Sequence, residues 1–353
     1  MRISVPKLNI SFSAASDQSL LNAALAASLN LPHSCKGGNC GSCRARLLQG
    51  EVYYPNGPPL GLSDAEAAEG FVLLCQARAR TDLSIETREI TTPDEVRIKR
   101  LPARIERTVH LSHDVMGLYL KLPVAEPLGF EAGQYVDIML PGGRRRSFSI
   151  ASSPQDSHLI ELHVRRVAGG EFSGPLFDKD AQNSLLSLEG PLGQFVYRPG
   201  AAPMLLVGGG TGLAPLLSIL RHVMESGIER NITLYWGVRS KRDLYAQAAL
   251  EEFARPPERP AVARRAHFRY VPVLSEPSAD WRGSRGWVHE AVLREIADLE
   301  QYDVYAAGPP AMIAAVRREF GARGVAAKRL FFDSFDYAPD SVLRQRISAA
   351  TKS

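Results

Sequence analysis

The sequence predicts three domains in series: a small α+β domain, an antiparallel β-barrel and a doubly wound parallel α/β domain. In residues 1–92, short alternating strand patterns accompany one apolar helix, predicted from Leu20 to Leu29. In residues 102–200, short alternating strands are separated by glycine and proline turns, which is typical of an antiparallel barrel. In residues 201–337, strands and helices alternate, and this order predicts a parallel sheet.

Individual strand patterns support each domain in turn. The first domain has them at Ile3–Val5, Ile10–Phe12, Ala45–Leu48 and Leu83–Ile85. The barrel has them at Gly117–Leu122, Tyr135–Leu140, Leu159–Val167 and Ser184–Leu188. The third domain has them at Met204–Val207, Ile232–Trp236, Phe268–Leu274, Asp303–Ala307 and Leu330–Phe332, with a helix at Leu213–Met224.

Polar segments lie between and beyond these domains. A linker is predicted at residues 93–101, where Pro93 interrupts a polar stretch and basic residues approach Pro102. Residues 338–353 are polar and are predicted to form a C-terminal tail without a function of its own.

The bulk composition excludes several function classes. The chain has 353 residues, is 45% hydrophobic and carries a formal net charge of +4, as expected for an ordinary globular protein. Charges of both signs are mixed, which disfavours nucleic-acid binding. The apolar runs are far shorter than the roughly 18 residues that cross a bilayer, and the N-terminus lacks a signal-peptide pattern. We therefore expect a cytoplasmic protein that binds neither nucleic acid nor membrane. A monomer is expected as well.

The cysteine spacing is the strongest motif. All four cysteines lie between Cys35 and Cys75, and Cys35, Cys40 and Cys43 have the spacing of plant-type 2Fe-2S proteins, with Cys75 as a fourth ligand. Glycines between them let backbone amides approach the sulfur atoms. Structural zinc is an alternative, although it usually has two Cys-x-x-Cys pairs, and buried cysteines without a metal are another.

A second motif starts at Arg146-Ser147-Phe148-Ser149 and continues about twenty residues later at Arg165 through Ser173. Together these residues resemble the flavin-binding signature of the ferredoxin-NADP reductase superfamily. An arginine there would bind pyrophosphate with a forked, charge-assisted contact, and a turn at Gly170 would add backbone amides. Alternatively, Arg146 is a solvent-exposed arginine on an edge strand. The choice between Arg165 and Arg166 as the cofactor contact stays open, because alternate strand residues face opposite ways.

The resemblance assigns roles across this motif. It implies a flat ring face from Phe148, where relatives more often have tyrosine, and a hydroxyl from Ser149 close to flavin N5. The candidate flavin contacts are Arg146, Ser147, Phe148, Ser149, His163, Val164, Arg165, Gly170, Phe172 and Ser173.

A third motif follows the strand pattern at Met204–Val207. Glycines there let the backbone approach a pyrophosphate at a helix N-terminus, and the absence of a following Gly-Lys-Ser/Thr excludes an ATPase loop. The candidate nicotinamide-coenzyme contacts are Gly209, Gly210, Thr211, Gly212, Arg239, Ser240, Gly308 and Pro309. Coenzyme choice is open: an acidic residue such as Asp243 would bind the ribose hydroxyls of NADH, while basic residues near Arg239 would accept the 2′-phosphate of NADPH.

With these motifs in this order, the chain to about Tyr337 resembles the reductase components of bacterial aromatic-ring oxygenases, most closely that of naphthalene dioxygenase. The likeness rests on Gly208–Pro215 and on Gly237–Ser240 leading to Asp243-Leu-Tyr245. It implies a plant-type ferredoxin β-grasp domain, an FAD-binding barrel and an NAD(P)H-binding domain. FAD is implied as the flavin, with NADH usually preferred and NADPH sometimes accepted.

The resemblance also implies a reaction. A hydride would pass from the coenzyme to FAD, and single electrons would then pass through the 2Fe-2S cluster to a Rieske-type ferredoxin or a terminal oxygenase component. Ser149 and Phe335 are the candidate catalytic residues, Phe335 or Phe332 matching the aromatic residue that covers the flavin. Relatives commonly have cysteine where this chain has Ala307. The reductases of CDP-deoxyhexose biosynthesis share this domain order, and a redox-responsive binding module is a third hypothesis.

Overall fold

The computed structural model divides the chain into two compact units. The first comprises Met1–Ile98 with Leu192–Phe195, and the second comprises Lys99–Pro191 with Val196 onward. None of the described helices is both long enough and apolar enough to span a membrane. The structure describes residues 1–27, 29, 31–33, 36–38, 41–59, 61–87, 98–179, 181–255 and 267–335.

The first unit is an α+β domain built on a five-stranded sheet of order β2-β1-β7-β3-β5. The β1–β7 pair is parallel and the other pairs are antiparallel. The strands β4 and β6 form a separate ribbon. The elements are β1 (Arg2–Val5), β2 (Ile10–Ser13), α1 (Leu20–Ala26), β3 (Arg44–Gln49), β4 (Val52–Tyr53), α2 (Asp64–Ala68), β5 (Phe71–Leu73), β6 (Arg78–Ala79) and β7 (Leu83–Glu86).

The helix α1 is shorter than the sequence predicted. It begins after Ser19, whose hydroxyl accepts the Asn22 amide, and it ends at Ala26 rather than Leu29. The Leu29 amide donates to the Ala24 carbonyl at 2.8 Å, the longer-range bond of a Schellman-type helix end. The predicted end at Leu29 was therefore wrong, because apolar periodicity continues past the residue where the backbone turns away.

The second unit begins with a six-stranded barrel of order β11-β10-β13-β8-β9-β12, with antiparallel pairing between β10 and β11, β8 and β13, β8 and β9, and β9 and β12. An antiparallel bridge between Ile150 and Leu162 joins its two outer strands. The strand β8 begins at Lys99, inside the predicted linker. The elements are β8 (Lys99–His110), β9 (Val115–Lys121), β10 (Tyr135–Met139), β11 (Arg145–Ser149), β12 (Leu159–Arg165), α3 (Ser173–Asp178) and β13 (Leu185–Leu192).

A parallel sheet of order β17-β16-β15-β14-β18-β19 completes the second unit. The chain adds strands on one side of β14 and then returns to add β18 and β19 on the other, so the order reverses beside β14. Ligands of such sheets bind outside the carboxyl ends of the strands at this reversal. The elements are β14 (Met204–Gly209), α4 (Leu213–Glu225), β15 (Ile232–Val238), α5 (Gln247–Ala254), β16 (Phe268–Leu274), β17 (Ser284–Arg285), α6 (Val288–Glu295), β18 (Asp303–Gly308), α7 (Pro310–Ala322) and β19 (Leu330–Ser334).

The predicted fold class is thus confirmed: an α+β domain, an antiparallel barrel and a doubly wound parallel domain. The strand β12 shows why the barrel and the parallel sheet belong to one unit. Its residues Ile160, Leu162 and Val164 are fully buried in the barrel core, while the alternate residues face the opposite way. That second face meets the parallel domain, where Glu161 contacts Arg221 and His163 contacts Tyr245.

Candidate functional site

In the first unit, Cys43 and Cys75 come together beneath the surface, with exposed fractions of 2% and 7%. The Leu74 amide donates to the Cys43 carbonyl at 3.1 Å, which places the two cysteines on adjoining segments. The Gln76 side-chain amide donates to the Lys36 carbonyl at 2.8 Å and ties the cysteine loop to the segment of the fourth cysteine. The predicted ligands Cys35 and Cys40 lie outside the described residues.

The loop around these cysteines is closely packed. Gly38 has φ of +82°, and a Cβ there would lie 2.8 Å from Gln76 Cγ and 2.9 Å from Pro59 Cβ. The Tyr54 hydroxyl accepts the Leu73 amide at 3.1 Å. Burial raises the pKa of Tyr54, and the nearby thiols of Cys43 and Cys75 raise it further against the opposing Leu73 bond. The sequence did not single out Tyr54 or Gln76, because neither belongs to the cysteine spacing.

The first part of the predicted flavin motif lies on β11, and Ser149, the last residue of that strand, is buried. The Ser149 hydroxyl has no hydrogen-bond partner among the described residues, although the side chain is only 6% exposed. The half-buried ring of Phe148 lies 5.2 Å from the Phe172 ring. Ser147 is another predicted flavin contact. Its hydroxyl donates a hydrogen bond to Asp137 Oδ1 at 2.6 Å and is therefore already bonded to a protein carboxylate.

Arg146 projects from the same strand, half-buried, with one guanidinium nitrogen 2.9 Å from the Arg145 carbonyl. Arg146 and Phe148 thus share one face of β11, while the unpartnered hydroxyl of Ser149 lies on the alternate face at the end of the strand. This donor set matches a cofactor that carries both a phosphate and a flat ring.

Two predicted contacts on β12 have other surroundings. The Val164 side chain is fully buried in the barrel core, so only its backbone can reach a cofactor. His163 has a protein partner at each ring nitrogen: Nε2 lies 2.9 Å from Glu161 Oε1, and Nδ1 lies 3.0 Å from the Tyr245 hydroxyl. Both ring nitrogens therefore already have protein partners from other segments, and the cofactor contact of His163 stays a prediction.

The two neighbouring arginines of the flavin motif have different surroundings. Arg165 Nε lies 3.1 Å from Asp114 Oδ2, and a Cβ on Gly210 would lie 3.1 Å from Arg165 Nη1. Arg166 pairs with Asp178 at 2.6 Å on an exposed surface. Arg165 thus lies beside the glycine-rich loop and Arg166 does not.

The turn that follows β12 requires glycine. The Gly170 amide donates to the Val167 carbonyl at 2.9 Å, and the Val167 amide donates to Ser173 Oγ at 3.0 Å. A Cβ on Gly170 would lie 2.5 Å from Ser173 Oγ. Ser173 therefore shapes this turn through its side chain.

The glycine-rich loop joins β14 to α4. Gly210 has φ of +56°, and its carbonyl accepts the Trp236 indole N–H at 2.9 Å. A Cβ on Gly212 would overlap the Ala307 carbonyl oxygen, so the helix start approaches β18 as closely as a glycine permits. A Cβ on Gly209 would lie 3.0 Å from Pro309 Cδ.

Around this loop, Thr211 is half-buried, and the Phe335 amide donates to the Gly308 carbonyl at 3.0 Å. Phe335 therefore lies at the carboxyl edge of the sheet, beside Gly308. Phe332 packs against the core of the parallel domain instead, with the Arg317 guanidinium 5.0 Å from its ring centre. Of the two predicted aromatic candidates, Phe335 lies nearer the loop.

In the segment that follows β15, the acidic residue is hydrogen-bonded within its own turn, whereas the basic residue Arg239 is exposed. Asp243 Oδ2 accepts both the amide and the hydroxyl of Ser240 at 2.8 Å, and Oδ1 lies 3.7 Å from His113 Nδ1. Burial opposes ionisation of Asp243, but the Ser240 bonds and His113 outweigh it and lower the pKa of Asp243. Arg239 is exposed. The only acid of the segment is thus engaged by its own turn.

The helix α4 attaches this domain to the barrel. Ser218 Oγ donates to the Ser152 carbonyl at 2.7 Å, and Arg221 donates to the Ala151 carbonyl at 2.8 Å and to Glu161 Oε2 at 2.6 Å. Burial opposes ionisation of Glu161, yet His163 and Arg221 lower its pKa to about 2. The helix that follows the glycine loop is therefore bonded to the segment that follows the flavin motif.

Comparison with known proteins agrees with this arrangement. The 2Fe-2S iron-sulfur cluster binding domain family matches residues 5–80, the oxidoreductase FAD-binding domain family matches 102–197, and the oxidoreductase NAD-binding domain family matches 206–318. These matches confirm the predicted cofactors: a 2Fe-2S cluster, FAD and NAD.

Relatives match over almost the whole chain. The chain is 38% identical over 329 residues to the reductase subunit of aromatic O-demethylase from Amycolatopsis sp., covering 90% of this chain and 94% of the relative. It is 34% identical over 326 residues to the CDP-6-deoxy-L-threo-D-glycero-4-hexulose-3-dehydrase reductase of Yersinia pestis, covering 92% and 95%. The crystal structure of an Amycolatopsis cytochrome P450 reductase superposes with a TM-score of 0.77 at 34% identity, covering 95% of this chain and 99% of that one. The predicted closeness to the naphthalene dioxygenase reductase stays a prediction.

Proposed function

This chain belongs to the ferredoxin-NADP reductase superfamily, and from that premise we propose that it delivers electrons from NADH or NADPH to a ferredoxin or oxygenase component of an aromatic-ring oxygenase system. One observation carries the proposal: the flavin motif and the glycine loop belong to one unit, in which α4 is bonded to both Ala151 and Glu161. A coenzyme bound at the loop and a flavin bound at the barrel would thus be held at a fixed separation.

Several residues fit FAD. Arg146 and Arg165 supply guanidinium groups for its pyrophosphate, and the turn at Gly170 supplies backbone amides. Ser149, whose buried hydroxyl has no partner among the described residues, supplies a hydrogen bond at the reactive edge of the ring. Bound FAD supplies the chemistry of accepting a hydride and releasing electrons one at a time.

The nicotinamide coenzyme fits the carboxyl edge of the parallel sheet. The loop Gly209–Gly212 presents its amides at the start of α4, where the helix dipole favours a pyrophosphate. Gly308 and Pro309 line the neighbouring strand end, and Phe335 closes the edge beside them. Phe335 would cover the flavin ring against water until the nicotinamide displaces it.

The thiol set fits a 2Fe-2S cluster, and we assign Cys35, Cys40, Cys43 and Cys75 as its ligands. Residues 1–92 form the cluster domain in this proposal, 99–200 the flavin domain, because β8 begins at Lys99, and 201–337 the coenzyme domain, with a linker shortened to 93–98 and a tail at 338–353. Plant-type clusters lie near about −400 mV and Rieske centres at about −150 mV or higher, so a Rieske-type ferredoxin or a terminal oxygenase would receive electrons spontaneously. We propose that the protein acts as a cytoplasmic monomer.

Anaerobic titration with NADH, followed by visible absorption, tests the function. Bleaching of both the flavin and the iron-sulfur bands is expected. Bleaching of the flavin alone in iron-replete protein would reduce the chain to a simple flavin reductase. A parallel titration with NADPH measures the coenzyme preference.

A second candidate function is the reduction of a CDP-deoxyhexose dehydrase, which the identity to the Yersinia pestis reductase favours. The two candidates differ in the acceptor alone. Purified Rieske-type ferredoxin and purified dehydrase, each offered to the NADH-reduced protein under the same conditions, separate them by the rate of reoxidation. Reoxidation that is fast only with the dehydrase would exclude the oxygenase assignment.

A further inference from the structure

A chain of contacts joins the barrel to the glycine loop through Tyr245. The Tyr245 hydroxyl lies 3.0 Å from His163 Nδ1 on β12, and the two rings meet edge to face at 5.2 Å. The Tyr245 ring also meets the Trp236 ring edge to face, with centres 5.0 Å apart. Trp236 in turn donates its indole N–H to the Gly210 carbonyl. Three side chains therefore connect the flavin barrel with the loop that receives the coenzyme.

The protonation of this chain is set by Glu161. The Glu161 carboxylate is ionised at neutral pH and can only accept a hydrogen bond, so it fixes a proton on His163 Nε2. His163 Nδ1, 3.0 Å from the Tyr245 hydroxyl, is the partner left for that phenol. Burial raises the pKa of Tyr245 despite the opposing charge of Arg165, so this phenol keeps its proton. Each donor in the chain is thus matched to an acceptor.

We propose that Tyr245 is a positioning residue for hydride transfer, holding the Gly210 loop at a fixed distance from the flavin motif through His163 and Trp236. The inference rests on the proposed function, because it gives the loop a coenzyme to position. Transfer depends on the two reacting atoms meeting within about 3 to 3.5 Å, so a small displacement of the loop lowers the rate more than the affinity. Tyr245 touches neither reacting ring in this role.

The Tyr245→Phe variant of the full chain tests this role, because it removes the hydroxyl and keeps the ring on Trp236. Tyr235→Phe is the matched control. Tyr235 lies in the same strand as Trp236, its side chain packs in the core of the parallel domain, and its hydroxyl is bonded to Glu295 at 2.9 Å. Both variants lose one hydroxyl from one domain.

We expect Tyr245→Phe to bind FAD fully and to bind NAD⁺ within about twofold of the parent, while flavin reduction by NADH slows about tenfold, the effect of one lost hydrogen bond. The long-wavelength charge-transfer absorbance of the nucleotide complex should weaken. Amide hydrogen exchange at Gly210–Leu213 should accelerate in the apoprotein as well, a readout that needs no cofactor. Tyr235→Phe should change none of these.

These measurements distinguish a failure of the positioning role of Tyr245 from a failure of the proposed electron-transfer function. A parent protein whose flavin NADH does not reduce refutes the proposed function, whatever the variant does. A parent that is reduced, with Tyr245→Phe equal to it in rate and in exchange at Gly210, overturns the positioning role alone. Equal losses in Tyr245→Phe and Tyr235→Phe also overturn it, since they indicate general destabilisation.

Discussion

Arg221 on α4 donates to Glu161 Oε2 on β12 at 2.6 Å, across the junction of the parallel domain and the barrel. The same guanidinium nitrogen donates to the Ala151 carbonyl at 2.8 Å, and His163 engages the other carboxylate oxygen. The Glu161 side chain is 10% exposed, so its charge depends on these partners. The junction is therefore sensitive to any change in that carboxylate.

Glu161→Gln should destabilise the second unit at neutral pH and flatten its acid response. The pKa of Glu161 in the folded protein, about 2, lies below its usual 4.5. The carboxylate therefore adds its full share to the free energy of unfolding above pH 4.5, and this share is lost as the pH falls towards 2. Loss of the charge-assisted bonds costs on the order of 2 kcal/mol, or about 5 °C in the melting temperature. Melting followed by FAD release, measured from pH 7 downwards, checks both effects.

The exposed pair of Arg104 and Glu106, at 2.8 Å, supplies the control. Glu106→Gln should shift the melting temperature very little, because exposed ion pairs contribute about 0 to 1 kcal/mol. If Glu161→Gln melts at the same temperature as the parent at pH 7, the junction does not depend on this charge.

Replacing the two neighbouring arginines of the flavin motif should have unequal effects. Arg165→Ala removes a guanidinium beside Gly210 and should lower FAD or coenzyme affinity about tenfold or more, the effect of a lost charge-assisted bond. Arg166→Ala removes an exposed partner of Asp178 and should change affinity less than about twofold. Fluorescence titration of the apoprotein with FAD, and of the holoprotein with NAD⁺, measures both. Equal losses would show that strand position does not decide the role.

Local patterns predicted most of the architecture because the spacing of hydrophobic residues differs between helices and strands. The strand Phe268–Leu274 was predicted to the residue, and Leu213–Met224 to within one. The long strand β8 was not predicted, since Pro102 and alternating charged residues obscure its pattern. The end of α1 was missed because a backbone hydrogen bond, not hydrophobicity, terminates it.

The site was predicted less completely for a related reason. A motif reports residues that are close in sequence, so Ser149 was predicted from the flavin motif and Gly210 from the glycine-rich loop. The residues that connect these halves come from different segments, as His163 and Tyr245 do. Their side-chain pairing depends on how β12 faces the parallel domain, which no local spacing contains.

Substitution of a cysteine should remove one cofactor and leave the other. Cys75→Ser replaces a soft thiolate with a hydroxyl, so the cluster absorption and its reduced-state EPR signal should disappear. FAD should be retained at one per chain and should still be reduced by NADH, because its site is built by the second unit. Iron content, flavin content and EPR of the purified variant provide the measurement. An intact cluster in Cys75→Ser would exclude it as a ligand.

Coenzyme choice should depend on Arg239 rather than on Asp243. Asp243 Oδ2 accepts the Ser240 amide and hydroxyl, and Oδ1 faces His113 at 3.7 Å, so this carboxylate is oriented by its own turn and by His113. Arg239 is exposed beside it and can pair with a 2′-phosphate. We therefore expect measurable turnover with NADPH as well as with NADH.

Arg239→Glu should lower kcat/KM for NADPH by about ten- to a hundredfold, the effect of a lost charge-assisted phosphate contact, and should change that for NADH far less. Asp243→Ala should instead lower both by similar factors, because it releases the turn that both coenzymes approach. Arg323→Glu, the same charge change at the exposed C-terminal end of α7, controls for net charge. Steady-state kinetics with each coenzyme decides the matter: a selective loss with NADH in Asp243→Ala would mean that this carboxylate leaves Ser240 and binds the ribose.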